Sequence, residues 1–78
     1  MEVKPGIYRH FKGQLYEVLG PARHSETEEL YVVYRALYGA EDIWIRPAAM
    51  FFGIVERDGI VQPRFTYLGE RADAGESD

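Results

Sequence analysis

The run Leu30-Tyr31-Val32-Val33-Tyr34-Arg35-Ala36-Leu37-Tyr38 constrains the fold more than any other stretch of the chain. In extended form it places Leu30, Val32, Tyr34, Ala36 and Tyr38 on one face, and Tyr31, Val33, Arg35 and Leu37 on the other. A strand that is apolar on both faces must be covered on both, so in a small domain it is central and strongly bent. A helical template also fits. Ser25 and Glu28 have capping-box spacing, Leu30, Val33, Tyr34 and Leu37 follow helical periodicity, and Gly39 suits a terminating position. Composition favours the strand, because branched and aromatic side chains such as Tyr31-Val32-Val33-Tyr34 lose χ1 freedom against a helical turn.

The flanking segments read as further short strands. Ile7-Tyr8-Arg9-His10-Phe11 alternates apolar and polar, Lys12-Gly13 is a turn, and Gln14 to Gly20 forms a second strand that Gly20-Pro21 should bulge or break. Asp42-Ile43-Trp44-Ile45-Arg46 pairs with the central strand across a short link. After Arg46-Pro47, Ala48-Ala49-Met50-Phe51-Phe52 predicts one short helical turn that Gly53 ends, with Pro47 suited to the first helical position and Met50 and Phe51 or Phe52 plugging an open end of the sheet. Asp58-Gly59 is a hairpin signal, Pro63 demotes the return strand to an edge, and Arg64 to Leu68 closes the fold. The expected architecture is mainly β: a small SH3-like or partly open β-barrel of five to six strands, with one short helical turn after Arg46-Pro47.

Seventy-eight residues make one small domain, and with no cysteine it has neither disulfides nor thiolate metal sites. Residues 1–68 carry eight basic against nine acidic side chains, and residues 69–78 carry one against four. The folded part, residues 1–68, is therefore close to neutral. The acidic tail, residues 69–78, has no apolar residue larger than alanine and is expected to be disordered. No membrane span or signal peptide is legible, so the expected location is cytoplasmic with no membrane partner.

Several separated blocks carry a resemblance. They are Gly6-x-Tyr8-Arg9-His10-Phe11-Lys12-Gly13, Ala22-Arg23-His24-Ser25-Glu26-Thr27, Val33-Tyr34-Arg35-Ala36-Leu37-Tyr38-Gly39, Trp44-x-Arg46-Pro47, Met50-Phe51 and Arg64-Phe65. From about Lys4 to Phe65 the chain resembles a bacterial family known as domain of unknown function 1653. The resemblance implies a compact β-rich domain and carries over no activity, ligand or catalytic residue.

The candidate site residues are Arg9, His10, Arg23, His24, Glu26, Arg35 and Arg46. Arginines beside exposed tyrosines suit phosphate or carboxylate recognition, because guanidinium offers a planar bidentate fork. The competing reading is that they snorkel along the sheet and pair with Glu17, Glu26, Glu28 or Glu29. If the first two strands form a hairpin, Arg9-His10 and Arg23-His24 approach one another at neighbouring strand ends. The preferred function is a non-catalytic binding module for an anionic partner: a phosphate- or carboxylate-bearing ligand, single-stranded nucleic acid or a protein. No cofactor is expected. Two alternatives stand beside it. One is a small metal-dependent or acid–base enzyme using His10, His24 and Glu26; the other is a structural or dimerisation domain. A His24-Ser25 dyad is disfavoured, because neighbours on a strand point to opposite faces. Trp44, Tyr34 and Tyr38 are expected in the core, and Tyr8, Tyr16 and Tyr31 on the surface.

Overall fold

The computed structural model describes residues 2–71. Seven strands and one helical turn follow in order: β1 (Gly6–His10), β2 (Leu15–Arg23), β3 (Leu30–Ala36), β4 (Ile43–Pro47), α1 (Ala48–Phe51), β5 (Ile54–Arg57), β6 (Ile60–Pro63) and β7 (Phe65–Gly69). The fold is mainly β, but it is an open pair of antiparallel sheets rather than a closed barrel. Five strands form one sheet in the order β4-β3-β2-β1-β7, and β5-β6 form a separate ribbon. The Leu30–Ala36 segment is a strand, as its composition predicts, with Val32, Tyr34 and Ala36 buried. Residues 25–27, where the capping-box pattern lies, form a turn.

Chain connectivity explains the sheet order. The β1–β2 and β2–β3 hairpins bring consecutive strands side by side, and β7 returns to pair with the free edge of β1. An extra residue, Leu19, interrupts the β2–β3 register between Val18 and Gly20 and bends the long β2 strand. The Asp58-Gly59 turn has positive φ at both positions (54° and 80°), the backbone that a tight β5–β6 hairpin requires. The ribbon is tied to the main sheet where the Arg64 amide donates to the Gly53 carbonyl and the Phe11 amide to the Arg64 carbonyl.

The core lies on one face of the main sheet, called here the inner face. Val3, Tyr8, Val18, Val32, Tyr34, Ala48, Phe51 and Phe65 form one buried cluster. Pro47 ends β4 and caps α1 instead of occupying its first position, so the turn begins at Ala48. Ala48 and Phe51 are three positions apart, which puts both on the side facing the sheet. Phe51 is fully buried and fills the open end, whereas Met50 on the far side of the turn is exposed. Phe51 stacks on Phe65 with centroids 3.9 Å apart and planes 5° apart, and meets Tyr8 and Tyr34 edge-on at 5.5 and 5.3 Å.

Three aromatic placements are reversed. Tyr8 is buried, because β1 is flanked by both β2 and β7 and its ring is enclosed by Phe51, Phe52 and Tyr67. Its hydroxyl donates to the Lys4 carbonyl at 2.8 Å. Trp44 and Tyr38 are about half exposed, because β4 is an edge strand and Tyr38 lies beyond the end of β3. Tyr34 is core, as expected, and Tyr16 and Tyr31 are half-buried.

The described chain extends slightly past the expected boundary at residue 68, since β7 includes Gly69 and Arg71 pairs with Glu17. The rest of the expected disordered tail lies outside the described residues. No helix among the described residues is long and apolar enough to cross a membrane.

Candidate functional site

The sheet separates the polar residues singled out in the sequence into three places. His10 and Arg46 are on the inner face. Arg9 and Arg35 are on the opposite face, since Arg9 faces Leu15 and Thr66, and Arg35 faces Glu17 and Ile43. Arg23, His24 and Glu26 surround the β2–β3 turn. His10 sits at the Leu15 end of β2 and His24 just past its Arg23 end, so the length of β2, on the order of 25 Å, keeps the Arg9-His10 and Arg23-His24 pairs apart. Among the described residues, no three His, Asp or Glu side chains converge as metal ligands would.

The β2–β3 turn uses its polar groups on itself. His24 Nδ1 accepts the amides of Glu26 and Thr27 at 3.0 and 3.2 Å, and the His24 carbonyl accepts the Glu28 amide at 2.8 Å. Arg23 donates to the Glu28 carbonyl at 2.9 Å, and the Ser25 hydroxyl lies 3.3 Å from a Glu26 carboxylate oxygen. Glu28 adopts a positive φ of 63° within this turn. His24 is thus a turn-capping acceptor. Alanine at His24 is expected to lower stability by about 0.5–1.5 kcal/mol, because two exposed amides exchange their acceptor for water. Denaturant unfolding measures that loss.

On the outer face, Glu17 is engaged by Arg71, and the Nε of Arg35 is buried with no hydrogen-bond partner among the described residues. Arg9 is exposed. Neither arginine points toward the inner-face residues.

The inner face is the more organised polar surface. Phe65 is its floor: the His10 ring meets it edge-on at 4.9 Å, and the Arg46 guanidinium lies 5.7 Å from its centroid. Arg46 is held by an Nε–H donated to the Tyr34 hydroxyl at 3.2 Å. Tyr16 packs edge-on against Tyr34, Tyr38, Phe65 and His10, and its hydroxyl shares a 2.8 Å hydrogen bond with that of Tyr38. Burial, and then the bond to Tyr38, pushes the Tyr16 phenol up to about 12, so it acts as a neutral hydrogen-bonding group. Trp44 pairs with Tyr34 in the β3–β4 register and therefore shares this face.

Three cations surround His10. Burial lowers the imidazole below its ordinary value of 6.5, and Arg46, Arg64 and Lys12 lower it further. The imidazole is held neutral with Nδ1 accepting the Lys12 amide at 3.2 Å. Arg64 was not legible as a site residue. It reaches this region only because β7 pairs with β1, and it is anchored by donating to the Met50 carbonyl at 3.2 Å.

The lowered His10 value has a definite sign for stability. The unfolded chain takes up the proton first as pH falls, so the contribution is full above about pH 6.5 and is lost as pH drops toward the folded value. The Tm of the wild type relative to His10→Gln is expected to fall between pH 7.5 and pH 5. A constant difference across that range would contradict it.

The model of the family described as "Protein of unknown function (DUF1653)" matches residues 6–67, from the start of β1 into β7. The chain belongs to the DUF1653 family. A crystal structure of a DUF1653 protein from Bordetella bronchiseptica is 38% identical in sequence, with a TM-score of 0.81. The alignment covers 92% of this chain and 95% of that one. No curated protein matches the chain. The DUF1653 span includes β1 to β4, the first part of β7, α1 and the inner-face residues from His10 to Phe65.

Proposed function

We propose that the domain is a non-catalytic binding module for an anionic partner, which it takes on the inner face beside His10, Arg46 and Arg64. The observation that supports this is the geometry on the Phe65 floor: the Arg46 guanidinium lies 5.7 Å from the ring centroid, His10 meets the ring edge-on, and Arg64 is anchored at Met50 beside them, with the cations and burial together disfavouring protonation of His10. An arriving phosphate or carboxylate is attracted by those cations and finds the Arg46 guanidinium already positioned by Tyr34. Exposed Trp44 and Tyr38 border the same face and offer aromatic surface to the rest of the ligand. Of the residues singled out in the sequence, His10 and Arg46 belong to this reading. Arg23, His24 and Glu26 are accounted for by the turn, and Arg9 and Arg35 lie on the other side of the sheet.

Trp44 is the sole tryptophan, so its emission reports on this surface directly. Titration with pyrophosphate and with a short single-stranded RNA at low salt is expected to change that emission saturably. Arg46→Ala is expected to weaken binding about tenfold or more, the effect of losing one charge-assisted hydrogen-bonding group. Arg9→Ala and Arg23→Ala are expected to leave affinity within about twofold. Unchanged binding in Arg46→Ala would refute the assignment.

A further inference from the structure

The β4 edge carries a self-complementary sequence. In Asp42-Ile43-Trp44-Ile45-Arg46, antiparallel pairing with a second copy about Trp44 sets Ile43 opposite Ile45, Trp44 opposite Trp44, and Asp42 opposite Arg46. The backbone is phased for that pairing. The Ala36 amide donates to the Asp42 carbonyl in the same register that pairs Tyr34 with Trp44 and Val32 with Arg46. Alternation along an antiparallel ladder therefore turns the amides and carbonyls of Ile43 and Ile45 to the open side. Those are the two residues that a two-fold axis through Trp44 brings into hydrogen-bonded pairs, with Trp44 at the non-hydrogen-bonded position between them. Pro47 has no amide to continue the row, which limits the joint to this stretch.

The side chains fit the same arrangement. β4 is an end strand of the main sheet, and Ile43, Trp44 and Ile45 are 54, 52 and 62% exposed. Natural edge strands are usually guarded by charge, proline or a covering segment, and this one presents three large apolar side chains in a row. Asp42 and Arg46 bracket them with opposite signs. Arg46 carries its charge inward over Phe65, so the attraction to Asp42 of the second copy acts through the field and selects register rather than forming a contact pair.

We propose that two copies of this chain join through β4, antiparallel about Trp44, to make one continuous ten-stranded sheet. The inner faces of both copies then lie on the same side of that sheet, with the two indoles at the joint. This goes beyond the anion-binding reading and does not depend on it.

Sedimentation velocity of the full chain, from a few to several hundred micromolar, tests the proposal. The expected result is a shift from 9.0 kDa toward about twice that mass. Ile45→Lys places a charge at the joint and is expected to remove the dimer, whereas Leu68→Lys on β7 is expected to retain it. Circular dichroism confirms that each variant is folded. Register is tested by cross-linking, since the chain has no native cysteine. With a mild oxidant, Trp44→Cys is expected to form a disulfide dimer, because a non-hydrogen-bonded pair sets Cα atoms about 4.5 Å apart. Ile43→Cys is expected to cross-link poorly, since residue 43 faces 45 of the other copy. A monomer at every concentration, a dimer that survives Ile45→Lys, or equal cross-linking by both cysteine variants would each overturn the proposal.

Discussion

Phe51→Ala is expected to lower stability by about 3–5 kcal/mol, the usual range for emptying a fully buried phenylalanine site. Phe51 is completely buried, is stacked on Phe65, and touches Tyr8, Tyr34 and Phe52 with its edges. The site has little capacity to collapse, because these neighbours are pinned to three strands and to α1 itself. A domain of this size has a total stability near the lower end of the 5–15 kcal/mol range. The expected outcome in thermal unfolding is therefore a drop of roughly 12–40 °C, since about 1 kcal/mol moves Tm by roughly 4–8 °C in such a domain. Met50→Ala, on the exposed side of the same turn, is expected to move Tm by only a few degrees. The contrast between adjacent residues isolates burial from any loss of helix propensity.

Gly6→Ala is the second large effect expected, for a different reason. Gly6 opens β1 at φ 141°, a backbone conformation that side chains other than hydrogen rarely adopt. A Cβ there would come within 2.7 Å of the Gly69 carbonyl oxygen and 2.8 Å of Tyr67 Cε1. The first contact is backbone, so it cannot be relieved by turning a side chain. The β1–β7 register is already irregular between Ile7 and Tyr8, next to this approach. The substitution is expected to cost at least about 2 kcal/mol from backbone strain and to loosen β7 from β1. Hydrogen exchange should show that loosening as lost protection at Tyr67 and its neighbours, before any comparable loss in β3. Retention of wild-type stability in Gly6→Ala would mean that the two strands do not approach so closely.

The parts of the fold that the sequence made legible are those fixed by local chemistry. Tyr31-Val32-Val33-Tyr34 outweighs the Ser25–Glu28 capping pattern, since branched and aromatic residues favour the extended chain and the capping residues are used in a turn. Asp58-Gly59 makes its hairpin, and the turn after Arg46-Pro47 buries Phe51. Strand order was not legible, and the misplacement of Trp44, Tyr8 and Arg64 follows from it. Ile-Trp-Ile has the composition of a core strand, yet nothing in the segment says that β4 ends the sheet and leaves Trp44 in solvent. Tyr8 alternates like a surface residue until β7 arrives on its other side. Arg64 joins His10 by that same long-range pairing, across more than fifty residues of chain. Arg23 and His24 were expected near Arg9 and His10 because both pairs end a strand, but the nine-residue β2 strand puts them at opposite ends.

Those displacements leave one face for the anion reading, and an amide-resolved NMR titration at low salt tests it most directly. Pyrophosphate added to isotope-labelled protein is expected to shift His10, Tyr16, Tyr38, Trp44, Arg46 and Arg64. Raising the salt concentration should then reverse those shifts. The Arg23–Glu28 turn and the outer-face positions Arg9 and Arg35 are expected to stay still. Shifts centred on that turn or on the outer face, or no shifts with pyrophosphate and with a short single-stranded RNA, would contradict the inner face as an anion-binding surface.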